Sequence, residues 1–139
     1  MDLFIKDKCI KKFSKELYNF IQSVLAGIYN VKYSEDENSI YIGYKTFYIY
    51  IFTDGESDFD GLSKEYGVDI NIEIIINIYN EFYAKALEDI AEIINWLIKK
   101  DSEDFILLDD QSMQILCRKG GTIDLNRKNL EFPYHKVEL

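Results

Sequence analysis

Between Tyr83 and Leu97 the side chains of Tyr83, Ala86, Leu87, Ile90, Ile93, Ile94 and Leu97 fall three and four residues apart, while Lys85, Glu88, Asp89, Glu92 and Asn95 take the opposite face. A stripe of that spacing makes one helix with one apolar side, and that side has to be buried against other parts of the chain. The pattern predicts a helix from about Asn80 to Lys99, with Lys99 and Lys100 at the carboxyl end, where positive charge suits the helix dipole. A second stripe, Phe13, Leu17, Phe20, Ile21, Val24 and Leu25, predicts an earlier helix, with Ser14 or a preceding residue as its cap and Gly27 as its stop.

The remaining apolar segments read as strands that supply the surface these stripes need. Leu3 to Ile5 reads as a short edge strand. After the polar turn Glu35-Asp36-Glu37-Asn38, the segments Ile40 to Tyr44 and Thr46 to Thr53 are rich in aromatic and branched residues and read as a pair. Val68, Ile70, Ile72 and Ile74 alternate with Asp69, Asn71, Glu73 and Ile75, the period of a strand with one buried face. Phe105 to Leu108, Met113 to Cys117 and Thr122 to Leu125 follow, the last two joined by the hairpin turn Lys119-Gly120-Gly121. With no break in composition, residues 1–139 are expected to form a single α+β domain, an antiparallel sheet with two main helices packed on it.

Apolar residues make up 47% of the chain and there is one proline, so a packed core is expected and disorder is not. The charge is uneven. Residues 34–110 hold 19 acidic residues against 5 lysines, a net −14, whereas both ends are mildly basic and the whole chain sums to −9. Nucleic-acid binding needs clustered Lys and Arg, so nucleic acid is not the expected partner and a basic protein is. Cys9 and Cys117 are too few for a disulfide framework and lack metal-ligand spacing. The amino terminus lacks the uninterrupted apolar core of a secretory signal, and no apolar run approaches the roughly 18 to 20 residues that span a bilayer. A soluble, cytoplasmic protein without a membrane partner is the expectation.

The densest acidic segment is Asp54-Gly55-Glu56-Ser57-Asp58-Phe59-Asp60-Gly61. Such a loop has three readings: a solvated turn, a calcium site, or a surface that steers and pairs with the Lys and Arg of a partner. As an EF-hand loop it fails in its second half. Counted from Glu56, the bidentate acid would fall at Gly67, and the following segment reads as a strand. The docking reading takes Asp54, Glu56, Asp58, Asp60, Glu65, Tyr66 and Asp69 as partner-binding residues. Eleven tyrosines, many at Tyr41, Tyr44, Tyr48, Tyr50, Tyr66, Tyr79 and Tyr83, chiefly line the sheet, and Tyr66 beside the acidic loop is expected to face the partner.

Catalysis finds little footing. His135 is the single histidine, Cys117 reads as a strand residue beside Arg118, and neither a nucleophile motif nor a Gly-rich phosphate loop is present. A carboxylate pair working as a small hydrolase and a calcium-dependent binding module are the alternatives to a binding protein that is not an enzyme and carries neither cofactor nor metal.

From Tyr66-Gly67-Val68-Asp69-Ile70-Asn71-Ile72, through the long helix, to Phe105-Ile106-Leu107-Leu108-Asp109 and Arg118-Lys119-Gly120-Gly121-Thr122-Ile123-Asp124-Leu125-Asn126, the order and spacing of segments resemble the immunity proteins of bacterial swarming-inhibition and polymorphic toxin systems. The resemblance covers about residues 66–126. It implies a small cytoplasmic antidote that binds and blocks a cognate toxin domain, without catalytic residues of its own.

Overall fold

The apolar stripe from Ala86 to Leu97 is buried against one continuous antiparallel sheet of eight strands, β1 (Asp2–Ile5), β2 (Lys32–Glu35), β3 (Ile40–Gly43), β4 (Phe47–Phe52), β5 (Ile72–Ile78), β6 (Phe105–Leu108), β7 (Gln114–Lys119) and β8 (Thr122–Leu125), in the computed structural model, which describes residues 1–53 and 58–139; Tyr83 is exposed, and Asp89 and Asn95, expected on the opposite face, are buried. The spatial order of the strands is β2-β3-β4-β5-β1-β6-β7-β8. Helices α1 (Ile10–Phe20), extended by a π-helical turn over Ile21–Leu25, and α3 (Tyr83–Lys100) pack on the inner face. The α+β class expected from the sequence is the class observed.

Strand alternation sets the two faces. In β4, Phe47, Ile49 and Ile51 are buried under the helices, and Tyr48, Tyr50 and Phe52 turn to the outer face. The same division puts Ile72, Ile74 and Ile76 of β5 inward and Glu73, Ile75 and Asn77 outward. Each fully buried Leu or Ile contributes about 2 kcal/mol, and the inner face holds the main core, so this face fixes the register.

Several expectations are corrected. β1 is not an edge strand: it lies between β5 and β6, and Leu3, Phe4 and Ile5 are all buried because helices cover it on both sides. Of the two cap positions expected, the earlier one is observed: α1 starts at Ile10 with Cys9 in the cap position, and the Ser14 hydroxyl is buried with no hydrogen-bond partner among the described residues. A polar edge strand, β2, precedes the hairpin turn, in which Asp36 N–H donates to the Ser39 carbonyl. Most consequentially, the segment after Asp58 is not a loop leading to a strand. It is a third helix, α2 (Phe59–Tyr66).

The reason for α2 is local. The Asp58 carboxylate accepts from Gly61 N–H at 3.0 Å as an N-cap, and Gly67 ends the helix in the left-handed conformation at φ 69°. Phe59, Leu62 and Tyr66 form its apolar side, which packs with Phe4, Ile106, Leu108 and Cys117 on the outer face. Val68 and Ile70 join this outer cluster rather than the face of Ile72 and Ile74, so the chain changes sides before β5 begins at Ile72. Asn71 sits at that crossing, exchanging side-chain hydrogen bonds with the backbone of Asp7 at 2.9 and 2.8 Å.

The end of α3 is closed by a buried cation. Arg118 of β7 donates to the Ile98 and Glu103 carbonyls at 3.1 and 2.7 Å, pairs with Asp101 at 3.1 Å and lies 5.1 Å from the Phe105 ring centroid. Its charge thereby meets the Ile98 carbonyl, one of those the helix end leaves without an intrahelical partner, and the Glu103 carbonyl just beyond it.

Candidate binding face

The outer face is covered unevenly. α2 shields β1, β6 and part of β7, while β3, β4 and most of β5 carry no helix on that side. Register places the residues in rows across the strands. One row runs Ser34, Tyr41, Tyr50, Ile75, Asp2, Leu108; the next toward one end brings Gly43, Tyr48 and Asn77 together. On the opposite side Phe52, Glu73, Phe4, Ile106 and Cys117 form a row, with buried Glu73 between the open and the covered halves.

The open half is an aromatic array. Ring centroids lie 5.3 Å apart for Tyr41–Tyr50, 6.3 Å for Tyr41–Tyr48, 6.0 Å for Tyr48–Tyr50, 5.6 Å for Tyr48–Tyr79 and 6.4 Å for Tyr50–Phe52. Mutual packing holds the rings in place, and Gly43 gives Tyr41 room. A Cβ at Gly43 would stand 2.6 Å from the Tyr41 hydroxyl and 3.0 Å from its ring carbons, so the ring lies along the strand over the glycine. Burial, reinforced by the neighbouring phenols of Tyr79 and Tyr50, pushes the Tyr41 phenol above its ordinary range. Among the described residues, the hydroxyls of Tyr41, Tyr48, Tyr50 and Tyr79 have no hydrogen-bond partner, and Tyr50 and Tyr79 are 37% and 40% exposed. Two hollows flank the Tyr48–Tyr79 ridge. One of about 500 Å³ is lined by Ser34, Asp36, Ser39 and the four tyrosines, the other of about 480 Å³ by Tyr48, Asn77, Tyr79, Tyr83, Asp109 and Asp110 among others.

Beyond Ile75 and Asp2 the face continues to α2. Asp2, Asp58, Glu65 and Tyr66 line a third hollow of about 410 Å³ with Phe4, Leu62 and Leu108. Burial raises the Asp2 carboxyl above its usual range; the terminal amine opposes this and Asp110 adds to it. The Tyr66 phenol is raised by burial first and then by Glu65 and Asp109, and its hydroxyl reaches the Ser112 carbonyl at 3.4 Å.

The partner-binding residues expected from the sequence therefore divide. Asp58, Glu65 and Tyr66 converge on one hollow, although Asp58 also caps α2. Asp60 is exposed in the first turn of α2, and Asp69 pairs with Lys6 at 3.3 Å outside this hollow. Asp54 and Glu56 lie outside the described residues. Tyr41, Tyr48, Tyr50 and Tyr79 were expected chiefly to line the sheet, and they do line its uncovered face. Strict alternation with buried Phe47, Ile49 and Ile51 was the signal that they share one side.

Other chemistry is less well placed. Helix α2 occupies most of the second half of a calcium loop counted from Glu56, and no three His, Cys, Asp or Glu among the described residues converge as metal ligands. Burial pushes the Cys117 thiol up, away from the reactive thiolate. His135 is exposed in a short turn at Tyr134–Lys136, and no helix among the described residues is long and apolar enough to cross a membrane.

No family model, curated protein or solved structure matches this chain. The functional reading rests on the face itself.

Proposed function

We propose that this chain is an immunity protein, which binds a cognate basic bacterial toxin domain through the outer face of its sheet and neutralises it without catalysis of its own. The observation that carries the reading is the open half-sheet of tyrosines running into a hollow lined by Asp2, Asp58 and Glu65. A protein that folds alone has reason to cover such a surface, and this one covers only half of it. Tyrosine supplies large contact area at low conformational cost, and surrounding carboxylates steer a cationic partner and set its orientation.

The size suits the task. Three strand spacings from β2 to β5 give about 14 Å, and strands of this length about 20 Å, a projected area of about 300 Å² for the open strands, to which the flank of α2 and side-chain relief add toward the roughly 800 Å² per partner of a stable complex. The resemblance of residues 66–126 to immunity proteins points the same way, and its Tyr66-Gly67 junction lies at the end of α2, beside the hollow.

Co-expression with the basic carboxyl-terminal domain of a secreted protein encoded beside this gene tests the proposal. The expected result is restored growth and a one-to-one complex, both lost when Tyr48→Ser and Tyr50→Ser are combined. Failure of the unaltered chain to protect against that domain, or to co-purify with it, overturns the proposal.

A further inference from the structure

We infer that the tyrosine platform is a reader of arginine: it takes an arginine-bearing segment of the partner, with guanidinium planes lying on the rings of Tyr48 and Tyr50 and the carboxylates of Asp36 and Asp110 receiving their N–H groups. The inference rests on the binding-face reading and adds the side chain that the face selects.

Three observations lead there. First, the rings are already assembled: Tyr48 touches Tyr41, Tyr50 and Tyr79 at centroid distances between 5.6 and 6.3 Å, so a partner meets a formed surface. Second, the hollows beside the rings are lined by acids, while Lys32, opposite Gly43 in the same row, stands on the edge strand beyond them. The hollow on one side of the Tyr48–Tyr79 ridge carries Asp36, that on the other carries Asp109 and Asp110, and among the described residues neither is lined by a lysine or arginine. Among the described residues the cation at this hollow is the terminal amine, which pairs with Asp110 at 2.6 Å, so an incoming guanidinium would share that carboxylate with it. Third, the four phenol hydroxyls and the polar groups of Ser34 and Ser39 line a hollow large enough for a side chain to enter flat.

Guanidinium fits these features better than ammonium does. It is planar, stacks on an aromatic face, is weakly hydrated, and can donate along its edge to a carboxylate while its face stays on a ring. Lysine offers a strongly hydrated point charge that gains less from a row of rings. Nucleic-acid bases also stack on tyrosine, but their phosphates would meet Asp36, Asp109 and Asp110.

A short amidated peptide of alternating arginine and serine, and its lysine counterpart of equal charge, serve as probes, titrated against the full chain with tyrosine ring resonances as readout. The arginine peptide is expected to bind about 5-fold more tightly and to shift the Tyr48 and Tyr50 rings first, the factor expected for a stacking advantage of this kind. Combined Tyr48→Ser and Tyr50→Ser should bring the two peptides to equal affinity, whereas combined Tyr48→Phe and Tyr50→Phe, which keep the rings, should retain the preference. Equal affinities for the unaltered chain, a preference that survives loss of the rings, or tighter binding of a neutral oligosaccharide would each overturn the inference. Arginine preference without protection against the toxin domain removes the immunity reading alone. Protection without arginine preference removes this inference alone.

Discussion

Replacing Gly43 by alanine probes how the platform is built. The added Cβ would lie 2.6 Å from the Tyr41 hydroxyl and 3.0 Å from two ring carbons, so the ring has to swing away by on the order of 1 Å, the shortfall from ordinary contact. Moving it weakens the contacts with Tyr50 at 5.3 Å and Tyr48 at 6.3 Å, each worth about 0.5–1.5 kcal/mol. Alanine in a strand recovers about 0.5–1 kcal/mol relative to glycine, so the net destabilisation should be about 1 kcal/mol. The sign reverses without the ring. In a Tyr41→Ser background nothing obstructs the methyl group, and Gly43→Ala should stabilise by about 0.5–1 kcal/mol. Urea unfolding of the four proteins in the double-mutant cycle measures this directly. The same effect of Gly43→Ala in both backgrounds would refute the claim that Tyr41 is laid over the glycine.

Three further outcomes follow from the same packing. Asp58→Ala removes the cap of α2 and should cost about 1 kcal/mol, with faster amide exchange confined to the α2 region. Arg118→Met strips the end of α3 of the cation that serves Asp101 and two carbonyls, and should lower stability by about 3 kcal/mol in urea unfolding. The Tyr83 phenol is pushed up to about 12, first by its hydrogen bond to Glu131 and then by burial, from an ordinary value of 10.0. A raised folded value means that the contribution is fully present below pH 10 and is lost as pH rises through about 12, so Tyr83→Phe should flatten the fall in stability across that window.

How far the sequence reveals the structure depends on how local the cause is. The α3 stripe is long and regular, so its helix and most of its buried face are readable without tertiary information, whereas the burial of Asp89 and Asn95 and the exposure of Tyr83 are set by tertiary packing. The helix α2 has only Phe59, Leu62 and Tyr66 on its apolar side, and the alternating acids of 54–60 mask it; Asp58 and Gly67, its two caps, were the available signal. The place of β1 comes from pairing with β5 and β6, some 70 and 100 residues away, which no local pattern specifies. Even so, three consecutive apolar residues, Leu3, Phe4 and Ile5, fit a strand buried on both faces better than an edge. The acidic half of the candidate face was visible as charge. The tyrosine half was not, because which side of a strand stays uncovered is decided by where the helices go, and α2 was hidden.

Calorimetric titration of the toxin domain proposed as its partner into this protein, at low and at physiological salt, tests the central claim most directly. Tight one-to-one binding is predicted, weakening with salt, and combined Tyr48→Ser and Tyr50→Ser should reduce affinity at least about 30-fold, as loss of two hot-spot tyrosines implies. An affinity unchanged by removing both rings, with the fold intact, would contradict the assignment of this face.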